Sequence, residues 1–376
     1  MKKKKVSIVI PVYNGEKNIE ATLKNILRST HRELEIIIVD DGSSDGSVAL
    51  CRQLQKQDSR IVIYEKQNGG IASARNYGVE RVTGDFLCFC DHDDIVEPET
   101  YQRMVERMEH DGSDMCLCST GRSIDGKKSL FELCEDAIYR GEEILENILY
   151  PLLFKGYNAP IKVGTISRYP NIWNCMFRVE FWRKYNFVFR AYVNFEDDLL
   201  VKIDSITCAT GISTISYPGY FWNVNLKSET YAHKFVEDLA EKQQLCYEDI
   251  ENCVRRCVTD QEVLAIIKQI IMCKQYLDAI HILTSPQKKK NISFIKEFCN
   301  QTIYSRAFDE CIVARRYVAQ GQIRAMVLLP LLEKKMSLVS YFAEKILDYL
   351  LWLSLHSQIL TKLERMIKGI SPSHQD

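Results

Sequence analysis

Five short apolar runs recur through the first 120 residues: Val6 to Ile10, Leu34 to Val39, Ile61 to Tyr64, Phe86 to Cys90 and Met115 to Cys118. Runs of this length, closed by a turn or by acidic residues, read as buried strands. Between them the period becomes helical. Ile19, Leu23, Ile26 and Leu27 fall at i, i+4, i+7 and i+8, and Tyr101, Met104, Val105 and Met108 at i, i+3, i+4 and i+7, so each set lines one face of a helix. Strands buried on both faces and joined by right-handed helical crossovers build an open, mostly parallel α/β sheet of Rossmann type, with ligands at the carboxyl ends of the strands.

Past residue 120 the alternation weakens. Residues 121 to 164 mix helix and loop, including Gly141 to Tyr150, and run into a Pro/Gly-rich stretch from Phe154 to Tyr169, where an insertion that shapes a pocket fits. After Lys227 the strand signals largely stop, and Phe235 to His281 and Phe294 to Gln320 read as successive helices. The expected organisation is an α/β domain over 1–228, divided into 1–120 and 121–228, followed by a helical domain over 229–376. Ile323 to Leu332 and Leu338 to Leu355 are strongly apolar, but Glu333, Lys334, Lys335, Glu344, Lys345 and Asp348 interrupt them. A membrane span needs about twenty uninterrupted apolar residues. These helices are therefore expected to pack in the second domain, to join copies of the chain, or to lie on a membrane surface.

Composition narrows the partners. Lysine plus arginine is 49 against 50 aspartate plus glutamate, so no net field attracts nucleic acid. The 14 cysteines are scattered, and Cys88, Cys90, Cys116 and Cys118 sit inside apolar strands, where they read as small buried hydrophobes in a reducing compartment. Lys2 to Lys5 lead into an apolar run that Pro11 cuts short, too brief for a signal peptide or a span. The expected location is the cytoplasm, extending to the inner face of the plasma membrane.

The chemistry-bearing residues cluster where the strands end. Pro11-Val12-Tyr13-Asn14-Gly15 turns the chain after the first strand. The second delivers Asp40 and Asp41, carboxylates able to accept from a base N–H or a ribose hydroxyl, while Asp45 reads as a helix cap. Gln67-Asn68-Gly69-Gly70 precedes a helix whose N-terminus offers N–H groups, with Arg75 one turn inside it, in reach of a phosphate. The spacing is not that of a dinucleotide fingerprint. Asp91-His92-Asp93-Asp94 packs three carboxylates and an imidazole into four residues, a repulsion that a hard divalent cation beside a diphosphate would relieve. Asn194-Phe195-Glu196-Asp197-Asp198 again sets acids against an apolar run, and one of them suits a general base.

Taken in order, V-S-I-V-I-P-V-Y-N, I-I-I-V-D-D-G-S-S-D, Q-N-G-G-I-A-S-A-R-N-Y-G, D-H-D-D and F-E-D-D resemble the family 2 glycosyltransferases, most closely the bacterial enzymes that build capsular, exopolysaccharide and lipopolysaccharide glycans. The likeness covers residues 5 to about 230. It implies a GT-A fold and an inverting transfer from a nucleotide-sugar, most commonly a UDP-sugar, to a glycan or lipid-linked acceptor. It further implies that Asp40 or Asp41 binds the base and that Pro11 and Tyr13 flank it. Asn68, Gly70, Arg75 and His92 would lie at the donor, Asp91 and Asp93 would hold Mn²⁺ or Mg²⁺, and Asp197 would be the catalytic base. Trp173-Asn174-Cys175-Met176-Phe177-Arg178 resembles the W-N-K-L-F-R segment that often precedes the last motif, with Cys175 in place of lysine. Trp173, Asn174, Glu196 and Asp198 are expected on the acceptor side.

One segment departs from the pattern. Where relatives often carry Y-Y-Y-R-x-R, this chain has Tyr220-Phe221-Trp222-Asn223-Val224-Asn225. Two cations are absent there, leaving Lys227 or His233 to compensate or donor affinity to depend more heavily on metal, with His233 a further candidate ligand beside Asp91 and Asp93. Two other classes compete with the transferase: a scaffold that binds nucleotide-sugars through a decayed site, and a nucleotidyltransferase, which would release pyrophosphate.

Overall fold

The computed structural model describes residues 4–124, 126–164, 168–190, 192, 196–224, 235–305 and 307–356. The chain divides into two compact units. The first takes in 1–155, 159–231 and 241–267, and the second 156–158, 232–240 and 268–376. Residues 241–267 thus group with the first unit, past the boundary expected at 228.

The first unit is built on ten strands: β1 (Val6–Val12), β2 (Leu34–Asp40), β3 (Ile61–Glu65), β4 (Phe86–Phe89), β5 (Ile95–Val96), β6 (Met115–Ile124), β7 (Lys127–Glu132), β8 (Ala137–Tyr139), β9 (Cys175–Arg178) and β10 (Ile212–Asn223). Their order is β3-β2-β1-β4-β9-β6-β10-β5, with β7 on β6 and β8 on β10. The four strands β3-β2-β1-β4 are mutually parallel, as the apolar runs implied. Beyond β4 the sheet is mixed: β9 runs antiparallel to both β4 and β6, while β10 runs parallel to β6. Strands β7 and β8 fall in the stretch expected to be helix and loop, and both pair antiparallel at the far side.

Helices α1 (Ile19–Leu27), α2 (Ser47–Gln57), α3 (Ile71–Val79) and α4 (Thr100–Asp111) follow β1, β2, β3 and β5. Ile19, Leu23 and Ile26 of α1 and Met104 and Met108 of α4 share one core with Ile8, Ile10, Ile36 and Ile38. Each such fully buried side chain contributes about 1.5–3 kcal/mol. Pro11 is buried within β1, which its missing N–H would ordinarily forbid in a central strand. The ladder to β4 stops at Val9, so the proline lies where pairing on that side has ended. Cys88, Cys90, Cys116 and Cys118 are free, buried thiols, and burial pushes all four well above the ordinary thiol range.

After β1 the chain passes to β2 and β3 on one side and returns to β4 on the other. The order therefore reverses between β1 and β4, and the carboxyl ends of these two strands frame the crevice where an open α/β sheet takes its ligand.

The second unit is helical. It holds most of α6 (Gln261–Leu283), with α7 (Ile323–Glu333) and α8 (Ser337–His356); α5 is the helix Glu196–Cys208 of the first unit. Tyr276, Ile280, Leu328, Leu329 and Leu332 form buried apolar positions of this unit. Among the described residues, no helix is long and apolar enough to cross a membrane.

Candidate active site

The strand ends deliver their side chains to one edge. Tyr13 stands half-exposed past β1, and its neighbour Asn14 ties that turn to the next: the Asn14 N–H donates to Ser43 Oγ at 2.9 Å and its Oδ1 accepts the Ser44 N–H at 2.9 Å. Gly15 packs against the His92 ring so closely that an added Cβ would lie 2.6 Å from His92 Cδ2. That position needs glycine because the two loops touch there. Asp45, expected to cap α2, stands one residue before it: the N-cap is Gly46, and the Asp45 carboxylate accepts from the N–H of Ser47, the first residue of the helix, at 3.0 Å.

Asp40 and Asp41 have different surroundings. One carboxylate oxygen of Asp40 accepts from the N–H groups of Gly42 and Ser43 at 3.1 and 3.0 Å, while the other, Oδ1, is buried without a protein partner. Asp41 is fully engaged. It accepts from Lys66 Nζ at 2.6 Å and from the N–H groups of Gly69 and Gly70 at 3.0 and 2.7 Å, and its carbonyl accepts from Asn68 Nδ2. The expected free N–H groups of the Gly69-Gly70 turn are therefore taken by a carboxylate of the chain itself. Gly70, at φ +83°, makes the turn possible.

Arg75 departs most from expectation. Instead of reaching outward toward a phosphate, it is 3% exposed and binds three carboxylates. Its Nη1 donates to Asp197 Oδ2 at 3.0 Å and to Asp198 Oδ1 at 2.6 Å, and its Nη2 donates to Asp91 Oδ1 at 3.1 Å. The guanidinium also lies 5.3 Å from the centre of the Phe189 ring. A buried arginine must have its charge matched, and here three acids from two distant stretches supply the match with charge to spare. Helix α3 thus joins the site: Asp41 holds the turn before it, and Arg75 within it gathers Asp91 and the Asp197-Asp198 pair.

The acid excess shows in the titration of its members. Burial pushes Asp198 up to about 7, and Asp197 and Asp91 raise it against the opposing pull of Arg75. Burial likewise raises Asp93; nearby His92 opposes the rise and Asp91 adds to it. Asp94 is buried deepest. It accepts from Tyr220 Oη at 2.6 Å and from the Asn223 N–H at 2.8 Å, and burial with Asp91 and Asp93 nearby pushes it well above the usual carboxylate range.

Trp173 stacks on Tyr220 with ring centres 4.2 Å apart and planes 16° from parallel. The same Tyr220 Oη accepts the Asp91 N–H at 3.1 Å, so the stack is coupled to the acidic loop. Asn174, expected beside an acceptor, is instead in the interior, where its Oδ1 accepts from Lys202 Nζ at 3.2 Å. It lies in the turn that leads into β9 and is only 1% exposed, so its amide faces the interior rather than solvent. The Glu196 side chain, Lys227 and His233 lie outside the described residues.

Lys202 was missed. Fully buried on α5, its ammonium also donates to the carbonyls of Tyr169 and Asn171, each at 2.9 Å, which fixes the segment carrying Ile172 and Trp173. The Ile172 N–H in turn donates to Asp198 Oδ2 at 3.2 Å. The signal was present in the sequence, because Lys202 interrupts Leu199-Leu200-Val201 and Ile203 on a helix. A lone cation inside an apolar run is buried at high cost unless several acceptors meet it.

Comparison with known proteins bears on the family and the fold. Residues 7–163 match the family model described as Glycosyl transferase family 2. The chain is 27% identical over 229 residues to the uncharacterized glycosyltransferase EpsJ of Bacillus subtilis, a match spanning 60% of this chain and 62% of that protein. It is 39% identical over 104 residues to the putative teichuronic acid biosynthesis glycosyltransferase TuaG of the same organism, spanning 27% of this chain and 41% of TuaG. The match to the pneumococcal glycosyltransferase GlyA spans 16% of that protein, so these relatives are each matched over less than two thirds of their length. Among solved structures, S. aureus TarS 1-349 in complex with UDP-GlcNAc superposes with a TM-score of 0.61 at 17% identity, over 90% of this chain and 89% of TarS 1-349. At that identity the likeness establishes the fold.

Proposed function

From the premise that residues 7–163 form a glycosyl transferase family 2 domain on a GT-A fold, we propose that the chain is an inverting glycosyltransferase. It moves a sugar from a nucleotide-sugar, a UDP-sugar, to an acceptor hydroxyl in the making of a bacterial cell-surface glycan. The observation that carries this reading is the single guanidinium of Arg75 holding Asp91, Asp197 and Asp198, which brings acids far apart in sequence to the ligand edge of the sheet. The UDP-GlcNAc in the TarS structure and the teichuronic acid role in the name of TuaG support the donor and product classes.

The residues divide the work by their surroundings. Asp40 Oδ1, buried and unpartnered, suits an acceptor for a base N–H, and half-exposed Tyr13 suits stacking on the base. Asp41 is a positioning residue, since all it touches is the chain's own Lys66 and the turn before α3. Trp173, stacked on Tyr220, suits a wall for the acceptor sugar.

Asp91 and Asp93 fit a divalent cation. Both offer hard oxygen donors of the kind such an ion takes, and Asp93 is raised mainly by burial, with His92 opposing the rise and Asp91 adding to it. Mn²⁺ or Mg²⁺ held there would stabilise the charge of the departing diphosphate. Asp197 takes the proton of the acceptor hydroxyl: one oxygen is held by Arg75, and the other has no hydrogen bond among the described residues. The oxygen of that hydroxyl bonds to the anomeric carbon as the bond to the diphosphate breaks, on the opposite face, and configuration inverts once.

A screen of nucleotide-sugars read by UDP release identifies the donor, and the Asp197→Asn variant tests the base. Loss of general base catalysis lowers turnover by roughly 10²–10⁴-fold. A folded variant that transfers at the wild-type rate removes Asp197 from the role.

A further inference from the structure

The second unit carries its polarity reversed, and this does not depend on the transfer chemistry. On α8 both acids are turned inward: Glu344 is wholly buried, with Arg324 Nε donating to it at 3.0 Å and His281 Nδ1 at 2.9 Å, and Asp348 lies 3.3 Å from the same histidine. The opposite side of α8 exposes Val339, Phe342, Ile346 and Leu350, at i, i+3, i+7 and i+11. Phe342 is 59% and Ile346 60% exposed. Helix α7 does the same, burying Leu328 and Leu332 while Ile323 and Met326 stand open to solvent. Single exposed hydrophobics are ordinary, but a continuous stripe on one helix, with its acids turned inward, is not.

Lysines border the stripe. Lys345, beside Ile346, and Lys288, which pairs with Glu237 at 2.9 Å, both lie near Lys290; burial, then Lys345 and Lys288, push Lys290 below its ordinary range. Lys289 is exposed in the same run. An apolar face edged by clustered cations matches the boundary between lipid tails and anionic headgroups. A second copy of the chain fits less well, because pairing two such faces brings lysine clusters together.

We propose that the outward face of α7 and α8 docks on an anionic lipid surface. The helices lie along that surface, with Phe342 and Ile346 inserted among the acyl chains and Lys288, Lys290 and Lys345 on the headgroups.

Vesicle flotation of the full chain tests this. With vesicles containing phosphatidylglycerol the protein floats, and with pure phosphatidylcholine it binds at least tenfold less. The double substitution Phe342→Asp, Ile346→Asp abolishes flotation, with unchanged circular dichroism as the control for folding. Substituting Lys288, Lys290 and Lys345 by Glu, all outside the apolar contact, weakens binding to the anionic vesicles and removes its dependence on salt. Full chain that stays at the bottom of the gradient with phosphatidylglycerol overturns the proposal. So does a dimer on size exclusion that Phe342→Asp dissolves while wild-type protein ignores vesicles, which assigns the face to self-association. UDP release measured without vesicles reports the active site separately.

Discussion

Each unit of this protein buries a charged network, and the two differ in their balance. Around Arg75, one cation meets Asp91, Asp197 and Asp198, with Asp93 and Asp94 on the same loop as Asp91. In the helical unit, Lys274, His281 and Arg324 interact with Asp278, Glu344 and Asp348, three cations with three acids. His281, Glu344 and Asp348 place ligand atoms within 4.8 Å of one another, a spacing that could hold a metal. Arg324 and a protonated His281 already supply the positive charge that a metal would bring. The balanced network is self-contained and reads as structure, whereas the unbalanced one is where the proposed cation would fit. Buried charge is thus a sign of a site only when its sum is not zero.

The largest effect that could break this comparison is on stability. Replacing Arg75 by Met leaves three partly or fully buried carboxylates unmatched and costs about 3–5 kcal/mol in urea unfolding at neutral pH. A Met variant that unfolds at the wild-type midpoint means the acids do not depend on the arginine. Next is the pH profile of transfer. Asp198, at about 7, must be ionised to accept from both Arg75 and the Ile172 N–H, so turnover rises as pH passes through about 7. Asp198→Asn removes that step, and a profile unchanged in the variant assigns it elsewhere.

The smallest effect sharpens the other side. Burial lowers His281, but Asp348 and Glu344 outweigh it and carry the imidazole from 6.5 up to about 9. A pKa raised by folding stabilises below the unfolded value, so the contribution is whole below 6.5 and lost as pH rises through about 9. The stability read from thermal melts should fall by at most about 3–4 kcal/mol across that window, and His281→Gln should flatten the dependence.

The parallel half of the sheet was legible because its strands are near-continuous apolar runs ending in acids. The mixed half was not. Strand β9 is only Cys175–Arg178, too short for a period to register, although Trp173 and Phe177 marked the segment as a motif. Strand β7 begins Lys-Lys-Ser and is mostly exposed, so it lacks the alternation that marks a half-buried strand. Sequence placed Asp41, Asp91 and Asp197 at strand ends and helix starts. It could not give Arg75 its partners, since nothing along the chain tells an arginine facing a phosphate from one enclosed by carboxylates. Asn174 went wrong for a related reason: a polar residue inside a motif looks functional until burial shows it holding Lys202.

The central claim is that the acidic edge near Arg75 takes a cation together with a nucleoside diphosphate. Calorimetric titration of UDP into the wild-type chain and into Asp93→Asn, each with Mn²⁺ and with EDTA, tests it most directly. Binding by the wild type that requires Mn²⁺ and weakens at least tenfold in the variant is the predicted result. UDP binding of equal strength with EDTA, or unchanged by Asp93→Asn, would contradict it.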